Sequence, residues 1–413
     1  MFPVSLRVLR SMPRPFLVLL GGVVVNRVAT FIVPYLSVLL HRHYGFSDAG
    51  TGLVILAYGT GTVISILAGG ILTDALGRRR TLLLSLFGGG ALAAAVPFMP
   101  TRGLFVAALL AYGFVGDLYR PAVSAVLADL LPPERRAAGF AALRTAFNFG
   151  WAIGIGLGGL LEPFGPTVMF VGDGITTALF GVVVLVGLPE TRGEAPAPGL
   201  SPAIIVRSLA GDGILRRTLL VSLAWAVLIV SWMTVFPLTV VEAPGGLAWM
   251  FGLTMGFNGI LCALFQIPVT EAVRGRRLRV AALGMLLGGA SIAGLGFARG
   301  LPAWLALMAA YTAGEMLVIP ALQAFLLDHA PADRRGTWVA LQQSVFSLVF
   351  AVAPVALLPM RRAAGDAWYW PGLLLVALPG AALLLALDRS DSGPLQHAAP
   401  PPVPLDPDES PLP

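Results

Sequence analysis

The sequence predicts an all-α integral membrane protein of twelve membrane-crossing helices, arranged as two pseudo-symmetric halves of six. Three observations carry that expectation. Of 413 residues, 57% are hydrophobic and only 12% charged, about half the charged share of a soluble domain. The apolar residues are gathered into stretches of roughly 20, the length that crosses a bilayer as a helix. The first half of the chain also recurs, in order, in the second.

The stretches fall at residues 16 to 40, 51 to 73, 81 to 100, 103 to 129, 137 to 161 and 167 to 188, then 215 to 241, 246 to 270, 280 to 298, 302 to 328, 337 to 359 and 368 to 388. Short polar, Pro or Gly breaks separate them. Alternating segments of about ten residues, the mark of a membrane barrel, are absent. The first stretch follows Arg7, Arg10 and Arg14, but it is too long for a signal peptide and ends in no small-residue cleavage site, so it reads as a span.

All 27 basic residues are arginines and the sequence pI is 10.1. They are scattered between apolar runs without an aromatic-rich basic domain, which excludes nucleic acid as a partner. Short basic loops stay on the cytoplasmic side. Placing the N-terminus there leaves five arginines outside, puts Arg27, Arg120 and Arg144 within spans, and keeps the other 19 inside, among them Arg78, Arg79, Arg80, Arg277 and Arg335. Both termini are then expected to be cytoplasmic, in the cell (inner) membrane. The expected organisation is a first half at 1–188, a Pro/Gly-containing linker at 189–214, a second half at 215–388, and a disordered tail at 389–413.

Shifting the first half onto the second pairs Gly59 to Arg80 with Gly256 to Arg277. Tyr112 meets Tyr311, Pro121 meets Pro320, Asp129 meets Asp328, and Pro34 meets Pro237. Two parallel six-helix repeats place a binding site at midplane between the halves.

Between the second and third spans lies Gly70-Ile-Leu-Thr-Asp74-Ala-Leu-Gly77-Arg78-Arg79-Arg80. Its glycines suit a close helix approach and a tight turn. The segment resembles the Gly-x-x-x-Asp-Arg-x-Gly-Arg-Arg signature of the major facilitator superfamily, with Ala75 where the family has a basic residue. The resemblance implies a gate latch made by these residues together with Asp129 at the end of the fourth span. Gly150-Trp-Ala-Ile-Gly154-Ile-Gly156-Leu-Gly158-Gly159 is similar to the fifth-helix motif of drug:proton antiporters, with Ile155 in place of the motif's proline; glycines at this spacing also serve tight helix packing. Leu188-Pro-Glu-Thr191 resembles the ending of the family's sixth helix. Asn26-Arg27 and Asp117-Leu-Tyr-Arg120-Pro121 are similar to what bacterial exporters of this kind carry.

An ionised group at mid-membrane costs at least about 2.5 kcal/mol unless compensated. The repeat provides a control, because the counterparts of Arg27, Asp117 and Arg120 are Val230, Met316 and Ile319, all apolar. The half-fold therefore assembles without these charges, which points to a site. Asp117 and Arg120 share a helix face, and Pro121 cannot donate to the carbonyl of Asp117, so a kink is expected there. The resemblance implies that the first, fourth, seventh and tenth helices line a central cavity. On that basis Asn26, Arg27, Asp117, Arg120, Trp232 and Glu315 are the substrate-facing candidates, although tryptophans placed like Trp232, and Trp225 seven residues before it, more often serve packing or the interface.

Glu315 is the lone acid of its span, and an acid with no opposite charge beside it is suited to load and release a proton near neutral pH. Asp117 has Arg120 beside it. Glu315 is therefore the preferred proton-coupling acid and Asp117 the second. Asp173, in the outer third of the sixth span, is a weaker candidate for that role, because the resemblance implies a helix peripheral to the cavity; the alternative is an acid that snorkels toward the interface. Asn258 and Gln266 read as interhelical hydrogen-bond makers.

Cys262 is the single cysteine, and His41 and His43 are too few for a metal site. Without lysine there is no Walker phosphate loop. No metal, cofactor or enzymatic activity is expected. The expected partners are a small-molecule substrate, protons and the lipid bilayer, with the chain acting as a monomer. The leading functional expectation is proton-coupled export of small amphipathic molecules by alternating access. The alternatives are an importer or uniporter of a polar or anionic nutrient, and a non-transporting receptor or scaffold.

Overall fold

The computed structural model describes residues 12–29, 31–190, 211–272, 277–331 and 335–391. Among them all regular structure is helical. The first half comprises α1 (Arg14–Arg42), α2 (Asp48–Leu76), α3 (Arg78–Phe98), α4 (Arg102–Leu130), α5 (Pro133–Leu161) and α6 (Pro166–Gly187). The second comprises α7 (Gly213–Glu242), α8 (Ala248–Ala272), α9 (Arg277–Gly294), α10 (Leu301–His329), α11 (Arg335–Ala364) and α12 (Asp366–Arg389). Of the expected linker, residues 191–210 lie outside the described residues, as do 392–413 of the tail.

Among the described residues, eleven helices are long and apolar enough to cross a membrane. The twelfth, α5, has 29 residues, or roughly 43 Å at 1.5 Å per residue, but its glycines and Arg144 dilute its apolar content. Large side chains on the outer faces, such as Ile71, Val186 and Leu375, are mostly exposed, as lipid-facing positions must be. Helix starts follow local chemistry. Ser47, Thr101 and Asp212 each accept a backbone N–H of their own first turn, satisfying a donor that would otherwise be free. Gly165 and Gly365, with φ of +90° and +73°, open α6 and α12 at equivalent points of the two repeats.

The repeat read in the sequence governs the packing. In the first half α1 packs on α5 and α6, α2 on α4, and α3 on α4 and α6. In the second half α7 packs on α11 and α12, α8 on α10, and α9 on α10 and α12. The halves join through two equivalent contacts, α2 with α11 and α5 with α8, and through α1 with α7 at one rim.

Glycines bring these helices together. A methyl group on Gly59 would lie 2.6 Å from Cβ of Ala351, and one on Gly159 would lie 2.6 Å from Cα of Trp249. Gly150, Gly154 and Gly158, one turn apart on α5, face α1 at Arg27, Val28 and Phe31. A Cβ at Gly154 would meet the carbonyl oxygens of Arg27 and Val28 at 2.8 and 3.0 Å, whereas one at Gly156 would meet nothing within 4 Å. The fifth-helix glycines therefore serve close packing. Gly154→Leu is expected to lower stability by about 1–3 kcal/mol through overpacking against α1. Gly156→Leu should be near neutral in the same thermal-unfolding measurement.

Four contacts between the halves, made by Tyr35, Arg42, His41 and Arg362, lie at the end of the bundle that carries the turns 43–47, 243–247 and 365. Tyr35 Oη, which donates to the carbonyl of Ile155 within its own half at 2.8 Å, reaches across to that of Ala248 at 3.5 Å. Arg42 donates to the carbonyl of Val241 at 2.8 Å. His41 stands 3.6 Å from Glu242, and Arg362 stands 3.9 Å from Asp48. This sealed rim is opposite the end that carries the Gly77 turn.

Candidate functional site

Three of the four expected central helices break where the sequence places its candidates. α1 is interrupted between Val28 and Ile32, directly after Asn26-Arg27. α4 is interrupted at Leu118, between Asp117 and Arg120. α7 relaxes into a π-turn over Ser231–Val235, which contains Trp232. Each break precedes a proline that cannot donate to the carbonyl four residues back: Pro34, Pro121 and Pro237. α10 runs unbroken through Pro320. Broken helices at membrane depth leave backbone polar groups beside the side chains there, and such backbone is tolerated where it lines a cavity or is buried in protein.

The first-half candidates form a neighbourhood of rings and charges. Arg120 Nε donates to Asp117 Oδ1 at 2.8 Å, with the arginine side chain 47% exposed and the aspartate 10%. The second carboxylate oxygen of Asp117 is buried without a hydrogen-bond partner. Arg27 is buried, and its guanidinium carbon lies 4.5 Å from the ring centre of Phe147 and 5.4 Å from that of Tyr119. Its Nε has no hydrogen-bond partner, and among the described residues none of its contacts is an ion pair. The expected three-residue cluster is therefore an ion pair, Asp117–Arg120, with Arg27 beside it on aromatic faces. Cation–π contacts of this kind stabilise a desolvated guanidinium by about 2 kcal/mol, less than the charge costs to bury. Asn26 turns away from this group and donates to Thr177 Oγ1 on α6 at 2.9 Å.

Glu315 sits in different surroundings. Asn258 Nδ2 on α8 donates to its Oε2 at 2.8 Å and also reaches Thr312 Oγ1 at 2.8 Å. Arginine stands beside it nowhere among the described residues: its contacts are neutral. Asn258, read from the sequence as an interhelical hydrogen-bond maker, has that role, and its partner is the candidate coupling acid.

Two expectations need correction. Trp232 is 1% exposed and packs against Tyr311 and Phe236, with ring centres 5.3 and 4.5 Å away. Trp225 stacks on the same tyrosine at 5.5 Å. The π-turn rotates Trp232 into this aromatic core, so in this conformation it is a packing residue with no open face toward a cleft. Asp173 does not snorkel; it is 2% exposed and accepts a 2.6 Å hydrogen bond from Tyr112 on α4. In both cases the sequence did not give the direction in which the side chain faces.

The latch residues brace the halves from within. Gly77 takes φ +98°, and a Cβ there would meet the Glu190 carboxylate at 2.7 Å. Arg78 Nε donates to Asp129 Oδ2 at 3.1 Å. Its repeat equivalent, Arg277 to Asp328, closes at 2.7 Å. Arg79 donates its backbone N–H to Glu190 at 3.0 Å and a guanidinium N–H to the carbonyl of Leu185 at 2.6 Å. The close approach expected at Gly70 falls instead on Gly69, whose added Cβ would meet Pro121 at 2.9 Å, while Gly70 faces open space. The side chain of Asp74 lies outside those described. Sequence reasoning missed the rim charges, where Arg361 joins Asp366 at 2.6 Å and Glu242 at 2.8 Å. Ordinary loop composition hid them.

A family model described as Major Facilitator Superfamily matches residues 18–354. The uncharacterized MFS-type transporter YttB of Bacillus subtilis (strain 168) is 27% identical over 338 residues, covering 79% of this chain and 83% of the relative. A Na(+), Li(+), K(+)/H(+) antiporter of Planococcus maritimus is 24% identical over 384 residues, covering 85% and 90%. In fold, the chain resembles a POT family transporter crystallised with 5-aminolevulinic acid, with a TM-score of 0.74, 15% identity, and coverage of 93% and 99%. With that match across most of its length, and with two repeated six-helix halves closed at one rim, this multi-pass membrane protein belongs to the Major Facilitator Superfamily.

Proposed function

We propose that the chain is a secondary transporter that exchanges protons for small amphipathic molecules by alternating access, with Glu315 as the proton-carrying group. The observation that carries this reading is the setting of Glu315: a carboxylate within a span, bonded by Asn258 and free of any arginine partner. Such an acid changes its charge with the proton concentration, and that change biases the two states of a rocking carrier. Asp117, by contrast, is tied to Arg120 at 2.8 Å. The concentration of cross-half bonds at one rim supports rocking about a midplane site. With both termini cytoplasmic, the rim that carries the cross-half contacts faces outward, which is in keeping with the loading state of an exporter. Likeness to a cation/proton antiporter is in keeping with exchange.

The test is flux in proteoliposomes. Substrate movement should follow an imposed pH gradient and collapse when a protonophore dissipates it; flux indifferent to the gradient would refute proton coupling.

A second reading is favoured by Arg27, which holds a buried guanidinium without an ion-pair partner. That group suits the anionic end of a polar solute, as an importer or uniporter of organic anions requires. Saturable anion uptake that disappears in Arg27→Ala would support this reading over export.

A further inference from the structure

Asp173 is absorbed by neither reading. It is buried on α6, and its one hydrogen bond comes from the hydroxyl of Tyr112 at 2.6 Å. The charged and titratable groups that face it are Tyr112 and Asp117 of α4 and Arg27 of α1. Tyr58 of α2 stands behind Tyr112, with ring centres 5.8 Å apart. The α3 surface packed against this part of α6 carries no charge: Gly174 touches Gly90 and Ala94. None of these groups makes an ion pair with Asp173.

The balance of charge inside the first half then turns on this one residue. Arg120 is matched by Asp117 at 2.8 Å. Among the described residues Arg27 has no contact partner of opposite charge, and its helix meets α6 one turn from Asp173, where the adjoining Asn26 donates to Thr177 Oγ1 at 2.9 Å. With Asp173 ionised, two arginines face two carboxylates and the interior is neutral. With Asp173 protonated, one positive charge is left at Arg27. The apolar residues at the repeat-equivalent stretch, Leu373 to Leu375, show that the half-fold does not need an acid here.

We propose that Asp173 is a specificity-determining residue whose protonation, reported through Tyr112, unmasks Arg27 as a binding group for the anionic end of a substrate. The inference rests on the second reading above, that Arg27 faces substrate, and is independent of coupling at Glu315. It assigns the first half a pH-dependent preference: organic anions at low pH, neutral or cationic molecules at high pH.

The probe is naphthalene-2-sulfonate, whose charge is constant over the working range, titrated calorimetrically into the full chain in detergent. Lowering the pH from about 8 to about 5.5, across the range where buried carboxylates titrate, should tighten binding at least about five-fold, a typical coupling between two sites. Asp173→Asn should show the tight, low-pH affinity at both values. Tyr112→Phe removes a donor that favours the ionised carboxylate, so its profile should move to higher pH; it also serves if Asp173→Asn fails to fold. Arg27→Ala should bind weakly throughout. Wild-type binding that is absent or independent of pH overturns the proposal. If Asp173→Asn keeps the wild-type pH profile while Arg27→Ala abolishes binding, Arg27 faces substrate but Asp173 does not control it. Unchanged binding in Arg27→Ala overturns both.

Discussion

Glu315→Gln is expected to uncouple transport from the proton gradient while leaving the protein folded. Glutamine keeps the length of the side chain, and its carbonyl oxygen can still accept from Asn258 Nδ2, which now stands 2.8 Å from the carboxylate. The substitution removes only the ability to change charge. A carrier whose states no longer differ in proton affinity cannot be biased by a pH gradient, however well it binds substrate. Gradient-driven flux in proteoliposomes should therefore fall at least about ten-fold, equivalent to losing about 1.4 kcal/mol of coupling free energy. Exchange of labelled for unlabelled substrate without a gradient should persist, and the unfolding temperature should stay within a degree or two of wild type. If driven flux survives in Glu315→Gln but is lost in Asp117→Asn, the coupling group lies in the first half.

Arg361→Ala is expected to be the most destabilising single change at the rim. The side chain is 8% exposed and donates to Asp366 at 2.6 and 3.2 Å and to Glu242 at 2.8 Å. Asp366 is held further by Thr239 and by the indole N–H of Trp370, each at 3.2 Å. Removing the guanidinium leaves two partly buried carboxylates without their cation, which costs about 3 kcal/mol. At roughly 2–4 °C per kcal/mol for a unit of this size, the midpoint in detergent should drop by roughly 6 to 12 °C. Glu242 also faces His41 across the halves at 3.6 Å, so the seal should loosen with the fold, and spin labels placed across the rim should report broader distances. The neighbouring Arg362→Ala is the control. Its side chain is 71% exposed and 3.9 Å from Asp48, a surface pair whose loss costs about 0.5 kcal/mol. Equal shifts for the two variants would show that burial does not decide the contribution.

The chain's own pattern determined the membrane class, the order of the spans, the two-fold repeat and the depth of each charge. Hydropathy and repeat are one-dimensional signals, and the bilayer converts them into helices because no other open structure can satisfy the backbone in lipid. Pro121 marked the break in α4 for a local reason, a missing N–H, but which other prolines interrupt their helices was not local: α1 and α7 break before Pro34 and Pro237 while α10 runs on through Pro320. The pairing of Arg78 with Asp129 was also legible, because its equivalent Arg277–Asp328 recurs with the repeat.

Direction was not legible. Whether Trp232 points to a cleft or into the aromatic core depends on a π-turn that shifts its facing. Whether Asp173 snorkels or bonds depends on where α4 places Tyr112, sixty-one residues away in sequence. Arg27 and Arg120 look alike as isolated intramembrane arginines, yet one lies buried on Phe147 and Tyr119 while the other is half exposed and paired with Asp117. Sequence spacing gives the depth of a side chain along its helix, a local quantity; its partner is set by the rotation of that helix against its neighbours, which only packing of the whole bundle decides.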